Sequence, residues 1–244
     1  MHSFYTPQLS EKSQTIILDD PDEIHHLKDV LRLKAGQAIQ LFNGRSHKAE
    51  GVISDMASTQ ISIRVDKITE ERPALPLLIL ACAVPKKGKF ETIIEKTTEL
   101  GVDEIIPLRT KNTEVIFKSE KLILKTQRFQ KIALNAAKQS KRSTIPIIHP
   151  MTDFERAVPM LLKRSVVIIP SLTDNRTKII PALENLNSPA AVSCLIGPEG
   201  DFTPQEYALA HTSGCLPVSL GQTILKVETA AITSVAITRL FFNG

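Results

Sequence analysis

LIGPEGDF, residues 195–202, is the stretch whose reading decides the fold. It follows an apolar run at 190–196 and precedes Thr203, Pro204, Gln205 and Glu206. Those four put a capping hydroxyl, a proline at the first helical position and a reciprocal Glu in register. The local expectation is strand, tight turn, helix. Gly197 and Gly200 flank Pro198 and Glu199, which predicts a sharp backbone bend with room for something to approach it. Taken alone, the loop fits an ordinary strand-to-helix connection as well as a ligand loop.

Outward from this loop, strand and helix alternate. Residues 77–84 form a continuous apolar run, the pattern of a strand covered on both faces in a parallel sheet. Phe90, Ile93, Ile94, Thr97 and Leu100 then have helical spacing, and Gly101 stands where a cap glycine belongs. Further strands are expected at 104–108, 165–172, 190–196 and 216–220. Helices are expected at 121–140, with Leu122, Phe129, Ile132, Ala133 and Ala136 inward, at 152–162 from a Thr152/Glu155 capping box, and at 177–186. A helix from Thr203 is closed by Gly214, and a largely apolar one covers 227–242. This is an α/β domain with a mainly parallel sheet.

The first seventy or so residues have a different character. Residues 15–18 read as a strand and 21–32 as a helix with Ile24, Leu27, Val30 and Leu31 on one face. A strand at 38–42, an Asn43-Gly44 hairpin signal, a return strand at 45–54 and an alternating strand at 60–68 follow. The pattern is that of a small β-barrel. Residues 70–76, with two prolines and a charge run, read as the linker, so the domains are expected at 1–72 and 73–244.

Composition narrows the function. Among 244 residues, 42% are hydrophobic and 23% charged, and no apolar run is long enough for a bilayer span. The first residues, MHSFYTPQLSEK, lack a signal-peptide layout, so the expected location is the cytoplasm. Cys82, Cys194 and Cys215 are an odd, dispersed trio, which suggests buried thiols rather than disulfides or zinc. The net charge of +4 is mild, but Lys86, Lys87 and Lys89 cluster after one strand and Lys138, Lys141 and Arg142 after a long helix, which suits a polyanion. No GxGxxG, Walker loop, GxSxG elbow, HExxH or CxxC occurs. Dinucleotide, nucleotide-hydrolase, serine-hydrolase and metal chemistries are thereby disfavoured, and no metal is expected.

A C-terminal constellation remains. The 195–202 loop, the Leu220-Gly221 turn and ILKVETA at 224–230 stand at the ends of consecutive late elements. Ligands of open α/β sheets bind outside the carboxyl ends of strands. Backbone groups freed in such turns can hydrogen-bond a purine edge, and Ile196, Leu220, Ile224 and Leu225 could wall an apolar slot for a nucleoside-like cofactor.

GPEG with ILKVETA, the EKTTELGV run at 95–102, QSKR at 139–142 and the early His26 with Val30-Leu31-Arg32 together resemble the RsmE family. These SPOUT-class enzymes use S-adenosyl-L-methionine to methylate N3 of uridine U1498 in 16S ribosomal RNA. The resemblance covers nearly the whole chain. It implies a PUA-like barrel followed by a SPOUT domain with a trefoil knot, one of the rare exceptions to unknotted topology. It also implies a homodimer with the last helix at the interface, and a 16S rRNA partner, in the assembled small subunit. Carried over by residue, the cofactor pocket is Leu172, Leu195, Ile196, Gly197, Gly200, Leu220, Gly221, Ile224, Leu225, Lys226 and Ala230. Arg142, Lys226 and Glu199 are the catalytic candidates, with Glu199 either a base or a brace for its turn, and Glu228 and Thr229 are further polar groups there. His26, Arg32, Lys86, Lys87, Lys89, Lys141 and Arg142 are the RNA-binding candidates.

The chain departs from the family pattern at three points. Asp201 stands where Gly is common, and Asp tolerates positive φ. Lys226 replaces a common Arg and loses its bidentate fork. His2 and Ser3 precede Phe4-Tyr5 where an Arg is usual. The other readings are a SPOUT methyltransferase for another rRNA or tRNA nucleotide, and an RNA-binding assembly factor without catalysis.

Overall fold

A computed structural model of the chain describes residues 1–86, 88–113, 119–172 and 175–244, without the side chains of residues 119–122. Lys87 and the inward position expected of Leu122 lie outside the described residues. The chain forms two units, Met1–Pro73 with Ala137–Ile145, and Ala74–Ala136 with Pro146–Gly244. The expected domain boundary at 72/73 did not anticipate the 137–145 segment in the first unit.

In the first unit, β1 (Ser3–Tyr5), β2 (Thr15–Leu18), β3 (Ala38–Phe42), β4 (His47–Met56) and β5 (Ile61–Glu70) form one sheet in the order β1-β3-β4-β5-β2. Alternate residues of these strands, among them Phe4, Ile39, Leu41, Ile61 and Ile63, are buried in one apolar core. Asp20 caps α1 (Pro21–His25) by accepting from the N–H groups of Asp22 and Glu23 at 2.9 and 3.1 Å. The expected helix to residue 32 changes to a π turn over His26–Val30 and ends before Arg32, whose φ is 53°. The wider turn shifts the register, so Leu27 stays buried while Val30 faces solvent.

The expected two-residue Asn43-Gly44 turn does not form. The Asn43 Oδ1 accepts N–H groups from Arg45, Ser46 and His47 at 2.9, 3.0 and 3.0 Å, and the return strand starts only at His47. An Asx side chain that satisfies three amides favours the longer loop over the tight one. The same amide orients His47. With its oxygen so committed, Asn43 Nδ2 donates to Leu9 O at 3.1 Å and lies 3.2 Å from His47 Nδ1, which the Ser46 hydroxyl also approaches at 3.1 Å. Among the described residues, Glu11, His47 and Glu70 bring potential ligand atoms within 4.8 Å of one another. Lys138, expected in a polyanion patch, is instead turned inward, its Nζ 2.7 and 2.8 Å from the two oxygens of Glu23. Burial pushes the Glu23 carboxyl up against the pull of that lysine.

In the second unit, β6 (Leu77–Ala83), β7 (Glu104–Arg109), β8 (Ile147–Ile148), β9 (Thr152–Asp153), β10 (Val166–Pro170), β11 (Thr177–Lys178), β12 (Ala191–Ile196) and β13 (Leu216–Ser219) form an all-parallel sheet. Its order is β11-β13-β10-β12-β6-β7-β8, with β9 also on β7. β6, the run expected to be covered on both faces, is buried at six of its seven residues, and β12 is buried at every residue, Ser193 among them, whose hydroxyl lies 2.7 Å from that of Ser165. α2 (Lys89–Glu99), α3 (Ser119–Gln139), α4 (Phe154–Leu162), α5 (Ile179–Glu184), α6 (Pro204–Ser213) and α7 (Val227–Asn243) complete the described elements. α7 lies against α2, β6 and β12. Arg239 of α7 ties it down, its Nη2 donating to Asp103 Oδ2 at 2.7 Å while the same oxygen accepts from Leu78 N–H at 2.8 Å.

Two helix starts differ from expectation. Asp153, not Thr152, is the residue before α4, and no capping box forms, because the Thr152 hydroxyl donates to Pro150 O and the Asp153 carboxylate accepts from Arg109 Nε. Residues 177 and 178 pair with β13 before α5 begins. By contrast, α6 has the full box at Thr203 and Glu206, Pro204 in its first turn and a left-handed Gly214 as its stop.

Glu104 is the centre of an ion cluster in this unit. It accepts from His149 Nε2 at 2.7 Å and from both terminal nitrogens of Arg164 at 2.8 and 2.7 Å. The histidine bond, then the guanidinium, hold its carboxyl down to about 2 against a usual 4.5, despite burial. A depressed carboxyl stabilises the fold above its unfolded pKa, and that stability is lost as pH falls through the folded value. The wild-type protein should therefore lose on the order of 2 kcal/mol from this group between about pH 5 and pH 2. In Glu104→Gln, denaturant titrations over that range should show a shallower acid slope and a lower stability at pH 7.

Candidate active site

The carboxyl ends of β10, β12 and β13, adjacent in the sheet, open into one cavity of about 390 Å³. That lies within the roughly 300–1,000 Å³ usual for small-molecule sites. Pro170, Ser171 and Leu172 follow β10, residues 196–199 and Asp201 come from the end of β12 and its loop, and Ser219, Leu220 and Gly221 follow β13. Thr223, Ile224, Leu225, Lys226, Val227 and Ala230 form the approach to α7 and its first turn, while Lys89 of α2 and Tyr207 of α6 close the wall. A parallel sheet delivers its strand ends on one side, so turns far apart in sequence become neighbours here.

The 195–202 loop is held from three directions. Glu199 Oε1 accepts the N–H of Lys86, just beyond β6, at 3.1 Å. Asn112 Nδ2 donates to the carbonyls of Gly200 and Asp201, both at 3.0 Å. Glu206, buried, accepts from Thr203 N and Oγ1 and, across 95 residues, from Lys111 N–H at 2.9 Å. The bend itself is not at the glycines. Neither Gly197 nor Gly200 has positive φ; the left-handed residue is Asp201, at 59°. Gly197 serves close approach instead, since a Cβ there would stand 3.2 Å from the Phe202 ring. At the neighbouring turn, Gly221 has φ 137°, a conformation that requires glycine.

Polar groups of the wall are largely paired. Asp201 Oδ1 accepts from Phe202 N–H and from the Tyr207 hydroxyl, each at 2.8 Å. Burial first, and then this carboxylate, push the Tyr207 phenol up. Lys89 Nζ lies 3.1 Å from Glu228 Oε1. Burial pushes the Glu228 carboxyl up, but its own backbone N–H, Lys89 and Lys226 outweigh that and hold it below the usual value. Cys82, buried beneath the loop, is pushed up by burial and by the charge of Glu199.

Of the sequence-derived cofactor residues, Leu172, Ile196, Gly197, Leu220, Gly221, Ile224, Leu225, Lys226 and Ala230 line the cavity. Leu195 does not, because as an inner strand residue it is wholly buried in the core. Gly200 faces Asn112 instead. Glu199 and Lys226 are in the wall, whereas Arg142 belongs to the first unit, its Nη2 donating to Thr144 Oγ1 at 3.0 Å. His26, Arg32 and Lys141 are also in the first unit; His26 packs on the Phe4 ring at 5.8 Å, and burial, then Lys138, lowers its pKa. Lys86 and Lys89 are in the second unit, and Lys89 faces the cavity rather than solvent alone. Sequence reasoning missed Ser171 and Tyr207. Tyr207 was within reach, since a residue four after a helix cap leans back over that cap; Ser171 carried no local signal.

The wall suits S-adenosylmethionine. It combines apolar side chains, backbone in two turns and both signs of charge, the features a zwitterionic nucleoside with a sulfonium demands. Two family models match the chain: an RNA methyltransferase domain over residues 72–239 and an RNA methyltransferase PUA domain over residues 18–66. A ribosomal RNA small subunit methyltransferase E from Rickettsia conorii is 31% identical, over 97% of this chain and 94% of its own. One from Bacillus subtilis is 28% identical, over 93% and 90%. Among solved structures, a ribosomal RNA small subunit methyltransferase E from Neisseria gonorrhoeae bound to S-adenosyl methionine superposes with a TM-score of 0.88, at 25% identity and 99% and 98% coverage. A putative methyltransferase from Legionella pneumophila in complex with its cofactor superposes at 0.85, with 29% identity and 98% and 96% coverage. With a family model spanning residues 72–239 and relatives alike over almost their whole length, the chain belongs to the RNA methyltransferase family of the ribosomal RNA small subunit methyltransferases E.

Proposed function

We propose that this chain methylates N3 of a uridine in small-subunit ribosomal RNA, the position numbered U1498 in 16S rRNA, with S-adenosylmethionine as donor. The cavity at the ends of β10, β12 and β13, in a chain of this family, is the observation that carries the reading. Bound there, the cofactor supplies an electrophilic methyl group on a sulfonium. The protein must then hold the uracil in line and favour loss of its N3 proton. Lys226, at the cavity wall and immediately before α7, is suited to place positive charge beside the uracil carbonyls. Arg142 is proposed as a second cation toward the RNA, with Arg32, Lys141, Lys86 and His26 as contacts that position the backbone without specifying sequence. Lys87 is carried as an RNA contact on the family pattern alone.

Glu199 is proposed as a positioning residue rather than a base, since its Oε1 accepts the Lys86 amide and so ties the loop to the end of β6. The exposed Leu240 and the part-exposed Phe241 of α7 support a homodimer through that helix. Assembled subunits in the cytoplasm are the proposed setting. Among the described residues, no helix is long and apolar enough to cross a membrane.

Two experiments test this. Glu199→Gln keeps an acceptor for the Lys86 amide, so its single-turnover methylation rate should stay within about threefold of wild type, while Glu199→Ala should weaken cofactor binding about fivefold, the value of one hydrogen bond. A loss of a hundredfold or more in Glu199→Gln would instead make Glu199 the base. Mass mapping of ribosomal RNA from cells with and without the protein should show one methyluridine, at the stated position, that depends on it; dependence at another nucleotide, or at none, would overturn the assignment.

A further inference from the structure

A second recess, of about 360 Å³, adjoins the cofactor cavity and shares Ser219 and Gly221 with it. The Ser219 hydroxyl locks that common wall, donating to Gly221 O at 3.1 Å and accepting from Gly221 N–H at 3.3 Å. Arg176 and Lys178 line the recess, with Ile180 and Pro181 of α5, and no acid is among its lining residues. Lys138 and Lys89 are drawn onto Glu23 and Glu228, but Arg176 and Lys178 form no ion pair with any described residue. Arg176 is held by one arm, its Nη1 donating to Ser171 O at 3.1 Å, where Ser171 is itself in the wall of the cofactor cavity. Its Nη2 and Nε are bonded to no described residue. Lys178 is exposed on β11, the edge strand, which pairs with β13 alone.

Two cations above an aliphatic floor match the two halves of a nucleotide. A phosphate accepts from a guanidinium fork and an ammonium, and the face of a sugar or base covers apolar side chains. We propose that this recess is a nucleotide subsite for the RNA substrate, in which Arg176 and Lys178 take the phosphate of a nucleotide next to the reacting uridine and Ile180 and Pro181 lie under its sugar or base. The shared Ser219–Gly221 wall puts the subsite directly beside the methyl donor, so a strand that brings its uridine to one cavity brings a neighbour to the other. Such a contact sets the register of the strand without reading its sequence. The inference rests on the RNA substrate given under Proposed function and adds to it two cations outside every basic cluster of the sequence.

Binding and methylation of unmethylated small ribosomal subunits, taken from cells that lack the protein and measured with the full chain over a range of salt, test it. Combining Arg176→Gln with Lys178→Gln should raise KM for the subunits about five- to tenfold, the value of two part-solvated cations. It should also lower the log–log salt slope of binding by about 0.7, one phosphate contact on single-stranded RNA. The single-turnover rate at saturating subunits should stay within about threefold of wild type, because a contact made equally in ground and transition states changes KM alone. Lys178→Gln, which breaks no described bond, should raise KM about two- to threefold by itself, and Arg176→Lys, which keeps the charge, should keep the wild-type salt slope. Calorimetry should find S-adenosylmethionine affinity within about twofold of wild type in every variant, since none of the changes touches a charge of the cofactor cavity. An unchanged KM and salt slope in the double variant would overturn the assignment. So would a parallel loss of S-adenosylmethionine affinity, which would make Arg176 a brace for Ser171, or a changed oligomeric state in sedimentation, which would make the recess an interface between copies. Wild-type protein that binds no subunits at any salt would overturn the RNA reading as well.

Discussion

One buried carboxylate, Glu206, holds the loop on which the cavity depends. It closes the capping box of α6 with Thr203 and at the same time accepts the amide of Lys111 beyond β7. A helix start leaves donors without partners, and a buried one must be satisfied by something close at hand. Because Glu206 does this and also reaches a second strand end, α6, β12 and β7 are fixed relative to one another. The Asn112 bonds to Gly200 and Asp201 and the Glu199 bond to Lys86 extend the same clamp around the turn. The protein's own hydrogen bonds thus hold the loop backbone, which lowers the ordering entropy that binding would otherwise cost.

The cavity itself is a consequence of sheet topology. β6 leads to β7 on one side and has β12 on the other, with β10 and β13 beyond, so the strands that end in the cavity are neighbours in space but not in sequence. The middles of β10 and β12 are buried on both faces, and their strand ends open into the cavity. There Lys89 pairs with Glu228, Glu199 with the Lys86 amide, and Asp201 with the Phe202 amide and the Tyr207 hydroxyl. Desolvated acids beside backbone N–H groups and lysines are held ionised, as the lowered Glu228 carboxyl shows.

Several cations that read in sequence as a polyanion surface have structural partners. Lys138 is turned onto Glu23, and Lys89 onto Glu228. A run of basic residues therefore overstates the surface open to RNA, because a long alkyl stem lets the charge be drawn inward to whichever carboxylate the fold brings near. The Asn43 loop makes the same point for backbone. A dipeptide that favours a two-residue turn yields when its side chain can satisfy three amides at once.

What the sequence by itself determined is local: the capping box and proline of α6, the stop at Gly214, the two-faced burial of β6, and the left-handed residue that Asp201 can tolerate. These depend on forces acting within four or five residues or on simple periodicity, so they are legible in order along the chain. Most of the cavity-lining residues followed from strand ends and family pattern together. Only the tertiary structure decided that Leu195 is core, that Gly200 faces Asn112, that Glu199 is spent on an amide 113 residues away, and that Tyr207 and Ser171 complete the wall. Partners so distant in sequence are chosen by the packing of parallel strands, and no local pattern records that choice.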